Sequence, residues 1–166
     1  MRGRMSVSLR NRRGAEDDDW IVDRHATVNA PANGFGPQHA RDVADIVQAF
    51  AAARDPVRER CWIAEVEGEW AGCVYLIDEG DGWGRLRLLY VRPWARGRGA
   101  GEALVTACVG AARAAGYAGV VLWTMSTLAP ARRLYEAAGF RMVEQRPHAA
   151  YGVEADDETW RLAFAP

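Results

Sequence analysis

Arg96-Gly97-Arg98-Gly99-Ala100-Gly101 stands between an apolar segment, Leu86–Val91, and a segment whose apolar residues recur at helical spacing. Glycine costs backbone entropy, so three glycines in six residues imply a need for bare backbone. A strand leading in and a helix leading out would put unpaired N–H groups and the positive end of a helix dipole here, which together form an anion site. Gly97, Gly99 and Gly101 would let several amides turn onto a phosphate, and Arg96 and Arg98 would add charge from the sides. A tight turn that happens to be rich in glycine is the plainer reading of the same residues.

Two familiar phosphate-binding classes are excluded by residue type. A Walker A loop needs a lysine on the phosphates, and all 21 basic residues of this chain are arginine. A dinucleotide fingerprint starting at Gly97 would need glycine at 102, where Glu102 stands, and an acidic residue ending the next strand, where Thr124 stands. The strand before the loop offers another clue. Leu86, Leu88 and Tyr90 alternate with Arg85, Arg87 and Leu89, yet Leu88–Val91 is apolar on both faces. That pattern points to a bulge, or to a sheet parting near the strand's end, where an amide-bearing ligand can pair with free backbone.

The elements that must position this loop follow from periodicity and punctuation. Val7–Arg10 is a candidate first strand. Acids open "EDDDWIVDRHATV" (16–28) as they would a helix, and after the turn-rich "NAPANGFGPQ" (29–38) Val43, Ile46, Val47 and Phe50 repeat at helical spacing. Strands are predicted over Cys61–Val66, Trp70–Leu76 and Leu86–Val91, and a helix from about Gly101 to Ala115, stopped by Gly116. A strand over Val120–Thr124, a helix over Pro130–Ala138 stopped by Gly139, and strands over Arg141–Gln145 and Thr159–Phe164 complete the chain. The 166 residues suit one α/β domain, here 9–166, behind a flexible tail over 1–8. With 49% hydrophobic and 26% charged residues, no membrane-length apolar run and no signal-peptide core, the default expectation is a cytoplasmic protein without membrane attachment. A net charge of −1 gives no general attraction to nucleic acid. Cys61, Cys73 and Cys108 lie among apolar residues without ligand spacing, so they read as buried reduced thiols, with neither disulfide nor metal.

With these residues in place, the chain resembles the GCN5-related N-acetyltransferase (GNAT) superfamily. Arg96-x-x-Gly99-x-Gly101 matches its Q/R-x-x-G-x-G/A acetyl-CoA signature, and "ARRLYEAAGF" (131–140) matches its A-x-x-L-Y-E-x-x-G-F helix. "RERCWIAE", "LRLLYV", "LWT", "YEAAGF" and Pro147-His148 are similar to acetyltransferase domains fused behind MarR-type DNA-binding regulators, although no winged-helix half is present in this sequence.

The resemblance implies an α/β GNAT fold: a mixed, mostly antiparallel sheet, splayed between two central parallel strands and flanked by helices on both faces. Acetyl-CoA would lie in the split as acetyl donor, without a metal. Its pantetheine would pair with Leu89, Tyr90 and Val91, its pyrophosphate would rest on Arg96, Gly97, Arg98, Gly99, Ala100 and Gly101, and Ala131, Arg132 and Tyr135 would line the far side. Many relatives carry asparagine where this chain has Leu128, so one pantetheine contact is expected to be missing. Tyr135 matches the general acid, since a phenol can protonate a departing thiolate without being charged at rest. Leu86–Val91 offers no carboxylate as base, which leaves a water relay or, among side chains, Glu65, His25 or His148. The 29–38 loop, the helix around His25 and the "PHAAYG" loop would enclose the acceptor. The implied reaction is N-acetylation of a primary amine of a small molecule or peptide by direct attack in a ternary complex, and the resemblance allows a homodimer. The rival is a non-catalytic acetyl-CoA sensor or regulator-docking module.

Overall fold

Two hairpins set the frame. Glu67-Gly68 and Asp81-Gly82 are two-residue turns with both residues at positive φ (52° and 81°, then 54° and 80°), the geometry whose twist matches that of antiparallel strands. They join β2 (Arg60–Val66), β3 (Glu69–Gly80) and β4 (Trp83–Val91) in a computed structural model that describes residues 6–148 and 150–166. β1 (Val7–Asn11) adds antiparallel to β2. Val7 and Ser8, expected in a tail over 1–8, sit opposite Val66 and Glu65 in the ladder. Residues 1–5 lie outside the described residues.

The first helical region is longer than its sequence punctuation suggests. α1 (Ala15–Arg24) runs into a π-helical turn, His25–Asn29, then α2 (Ala30–Asn33), and α3 (Pro37–Ala53) begins at a proline in its first turn. Most of the stretch read as a loop over 29–38 is thus helical. Asp17, buried on α1, accepts from both terminal nitrogens of Arg10 (2.8 and 2.9 Å) and from the Arg13 N–H (2.7 Å), which locks α1 to β1. These donors hold the Asp17 carboxyl below its ordinary value.

After β4 the chain passes Pro93–Ala95 and the glycine loop into α4 (Ala100–Ala114). β5 (Gly119–Met125), α5 (Ala129–Ala137), β6 (Arg141–His148) and β7 (Ala155–Ala163) follow. The seven strands stand in the order β1-β2-β3-β4-β5-β7-β6, and only β4 and β5 pair in parallel. Helices cover both faces. Trp62, Leu76, Leu86, Leu104, Cys108, Leu122 and Trp160 form the core under α4 and α5, while Ile21, Val43, Val47, Phe50, Ile63 and Tyr75 fill the face under α1 and α3. This is the mixed, splayed α/β arrangement expected from the sequence. All three cysteines are buried, and burial pushes the Cys61 thiol up to about 12. Among the described residues no helix is long and apolar enough to cross a membrane.

Candidate active site

The parallel pairing of β4 with β5 is brief. It joins Trp83, Gly84 and Arg85 to Gly119, Val120 and Val121, and from Leu86 onward the two strands part. The parting coincides with a change in register on the other side of β4. Tyr75 faces Arg87 and Cys73 faces Tyr90, so two steps along β3 match three along β4. The extra residue is Leu88, held at φ 53° in the left-handed region, a conformation that costs a non-glycine residue on the order of 1 kcal/mol. Its carbonyl accepts from the Cys73 thiol at 3.3 Å. The bulge re-aims Leu89–Val91 and leaves their β5 side without a neighbouring strand.

Into this opening descends a groove of about 970 Å³, roughly the upper size of a small-molecule site. One end is walled by the glycine loop. Gly97 (φ 74°) and Gly99 (φ 90°) occupy the left-handed region, and a Cβ on either would meet nothing within 4 Å. These two glycines serve the backbone turn, and the space before them is open. Gly101 serves a different purpose. Its φ is ordinary, but a Cβ there would stand 2.7 Å from Leu134 Cδ1 and 3.6 Å from Val91 Cγ2, so it lets α4 pack closely on α5. Arg96 borders the groove and donates from Nε to the Val91 carbonyl (3.3 Å).

Leu89, Tyr90, Val91, Arg96, Gly97, Gly99, Gly101, Ala131 and Tyr135 all line this groove. Arg98, Ala100 and Arg132 do not border it with their side chains. Arg98 turns back to donate from Nε to the Trp94 carbonyl (3.0 Å). The Ala100 methyl is buried in the core, so only its N–H, at the start of α4, is suited to an anion. Arg132 is engaged elsewhere. One residue after Ala131 it sits about 100° around α5, where its Nε lies 2.9 Å from Glu158 Oε1 and its guanidinium covers the Trp160 ring. Glu158 is fully buried on β7, and the need for a counter-charge there holds Arg132 under the helix.

Tyr135 is buried against Phe140, with ring centroids 5.9 Å apart, and reaches the groove floor from α5. Burial pushes its phenol up from the ordinary value, which keeps it protonated through neutral pH. Leu128 borders the groove at the cap of α5.

The other end of the groove is aromatic. His25, in the π-helical turn, lies with its ring 5.3 Å from Tyr90 and 6.4 Å from His39. His39 packs against Phe35 (4.6 Å) and Tyr151 (4.9 Å). Tyr151 accepts the Gly36 N–H on its carbonyl (2.8 Å) and donates its hydroxyl to Asp42 (2.7 Å), which ties the turn after β6 to α3. The 29–38 segment, the helix around His25 and Tyr151 are thereby brought together at this end of the groove. His25 Nδ1 lies 2.8 Å from the Ile21 carbonyl, which assigns the proton to Nδ1, and burial lowers the ring to about 4. Glu65 stands elsewhere, on β2, accepting from Arg10 Nε at 2.6 Å, and it does not border the groove. His148 ends β6, and its side chain lies outside the described residues.

Sequence reasoning passed over His39, Asp42, Arg87 and Trp123, all of which line the groove. His39 was concealed because it shares the i, i+4, i+7 stripe with Val43 and Ile46, where a core residue is the ordinary reading. The alternation of Arg85 and Arg87 with apolar residues was the available signal for Arg87.

Comparison with known proteins places this geometry. A model of the Acetyltransferase (GNAT) family matches residues 25–140, more than half of the chain. An uncharacterized N-acetyltransferase of Schizosaccharomyces pombe is 39% identical over 119 residues, 71% of this chain and 62% of that protein. The mycothiol acetyltransferase of Beutenbergia cavernae is 35% identical over 143 residues, 84% of this chain and 45% of that one. The chain thus spans about half to three-fifths of the length of these relatives. Among solved structures, a Salmonella typhimurium protein with its cofactor acetyl-CoA superposes with a TM-score of 0.78 at 21% identity, covering 96% of this chain and 94% of the other. The spermidine N-acetyltransferase of Vibrio cholerae, in complex with CoA and spermine, does so at 0.73 and 16%, covering 95% of each. Both structural likenesses concern the fold.

Proposed function

The chain belongs to the acetyltransferase (GNAT) family, and we propose that it transfers an acetyl group from acetyl-CoA to a primary amine by direct attack in a ternary complex. The observation that carries this reading is the parting of β4 from β5 beside the Leu88 bulge. It provides an open length of backbone, Leu89–Val91, continuous with a glycine loop at a helix start and with a buried phenol opposite.

The residues suit the proposed donor. Leu89–Val91 offer amide and carbonyl groups that pantetheine amides can pair with as an added strand does. The N–H groups from Gly97 to Gly101, with the charge of Arg96, suit a pyrophosphate. Acetyl-CoA supplies an activated acetyl group on a thiol leaving group. The backbone N–H of Leu89, re-aimed by the bulge, is the donor for the developing oxyanion. Tyr135, protonated and buried, gives its proton to the departing sulfur. The amine loses its own proton to water in the open groove. His25, buried and with Nδ1 committed to the Ile21 carbonyl, is assigned no part in that step.

The test is a binding and turnover pair. Acetyl-CoA should raise the unfolding temperature, and increasingly so with its concentration, while NAD and ATP at equal concentration should not. Thiol release should follow when a panel of primary amines is added. A response to NAD or ATP with none to acetyl-CoA would overturn the reading.

A further inference from the structure

Arg87 presents a half-buried guanidinium to the groove without a carboxylate to match it. Arg85, two residues earlier on the same strand, is neutralised by a two-pronged contact with Glu79. Arg87 makes no such pair among the described residues. The charged or ionisable groups near it are Arg85 and Glu79, already paired with each other, and the Tyr151 phenol. Burial weighs against its charge and lowers its pKa from the ordinary value. A guanidinium taken partly out of water with no counter-ion is an unfavourable element of a fold, and its planar fork matches one kind of partner, a bidentate oxyanion.

The surroundings narrow the partner further. Leu86 belongs to the core under α4, so its neighbours Arg85 and Arg87 point to the opposite face of the sheet, where α1 and α3 lie. Trp123 of β5 projects to that same face, since Leu122 beside it is in the α4 core, and it remains 40% exposed although it borders the groove. Phe35 and Tyr151 supply further aromatic surface. Arg87 also stands only two residues before Leu89, no more than about 7 Å of strand. An anion on Arg87 and an amine beside Leu89 would therefore engage neighbouring positions of one strand in one groove, which suits a short molecule carrying both groups.

We propose that the acceptor is an amino carboxylate: a primary amine whose carboxylate, a few bonds away, is held by Arg87 while its side chain rests on Trp123, Phe35 and Tyr151. The proposal rests on the acetyl-transfer reading and specifies its second substrate. Simple polyamines lack the anion, and peptides longer than two residues carry their terminal carboxylate too far from the amine.

The experiment uses acceptors matched in side chain, with and without the carboxylate, compared at equal concentrations of neutral amine: phenylalanine, phenylalaninamide and phenethylamine, with leucine, leucinamide and isopentylamine as a second set. Thiol release is measured with the unmodified protein, Arg87→Met and Arg87→Lys, beside acetyl-CoA affinity by calorimetry. The unmodified protein should favour each amino acid over its amide and amine by about 10- to 100-fold in kcat/KM, the scale of a charge-assisted pair. Arg87→Met should erase that preference, chiefly through KM, while altering turnover of the uncharged amines by no more than about threefold. Arg87→Lys should restore part of it, and acetyl-CoA affinity should be the same in all three proteins. Equal or better use of the amides and amines by the unmodified protein would overturn the proposal and leave acetyl transfer standing, and this outcome needs no variant. A uniform loss across all acceptors in folded Arg87→Met would also overturn it. Absence of thiol release with every acceptor would overturn both readings.

Discussion

Arg132 Nε lies 2.9 Å from Glu158 Oε1 beneath α5, joining that helix to β7. The pair is lopsided: Glu158 is fully buried, whereas the Arg132 side chain keeps about a third of its surface exposed. Removing the arginine leaves a buried carboxylate without its cation, which typically costs about 3 kcal/mol or more. Arg132→Ala should therefore lower stability on that scale in urea unfolding, with acetyl-CoA affinity little changed once the protein is folded. A variant that unfolds normally and loses affinity would return Arg132 to the cofactor groove.

The two outer glycines of the Gly99-Ala100-Gly101 step predict different phenotypes. Gly99→Val forces a β-branched residue to φ 90°, in the turn proposed to hold pyrophosphate. Acetyl-CoA affinity should fall by at least about tenfold, with a stability loss of about 1–2 kcal/mol. Gly101→Val instead drives its side chain into Leu134, so its main effect should be a stability loss of about 1–3 kcal/mol. Adding Leu134→Ala should recover part of that loss and do nothing for Gly99→Val. Calorimetry and urea unfolding of the three single variants and the two double variants test this division.

The contrast between those glycines illustrates what the sequence disclosed. Motif spacing located the loop, but a glycine required by φ and one required by a neighbour's side chain look alike until the facing helix is placed. Strand cores such as Cys61–Val66 were legible because they are apolar at every position but Glu65. The extension of β3 to Gly80 and the start of β4 at Trp83 were not, because a two-residue turn within "DEGDGWG" leaves ladder residues that are polar. β7 was hidden likewise at Asp156, Asp157 and Glu158, acids that read as loop, although Glu158 is buried on an ion pair with α5. Arg132 was assigned to the groove by motif position, and only the placement of Glu158 could reveal which way it turns.

His25 makes stability depend on pH. Its folded-state pKa of about 4 lies below the ordinary 6.5, so between those values the unfolded chain binds more protons. The contribution is complete above about pH 6.5 and is lost as pH falls towards 4, amounting to roughly 3 kcal/mol. Asp17, held down by Arg10, adds a further loss only as pH falls below its ordinary value of 3.8. His25→Asn keeps a donor for the Ile21 carbonyl and removes the titration. Its unfolding free energy should change less between pH 6.5 and 4 than that of the unmodified protein. An equal slope would mean that other groups carry the dependence.

Tyr135 carries the proposed chemistry, and Tyr135→Phe is the most direct measurement of it. The substitution keeps the ring that packs on Phe140 and removes only the hydroxyl. If that hydroxyl protonates the departing thiolate, acetyl-CoA affinity should be nearly unchanged, because the lost interaction belongs to the transition state. Turnover with the best acceptor should fall by about a hundredfold or more, the scale of a positioned acid. Equal turnover of the two proteins at saturating acetyl-CoA and acceptor would contradict the assignment.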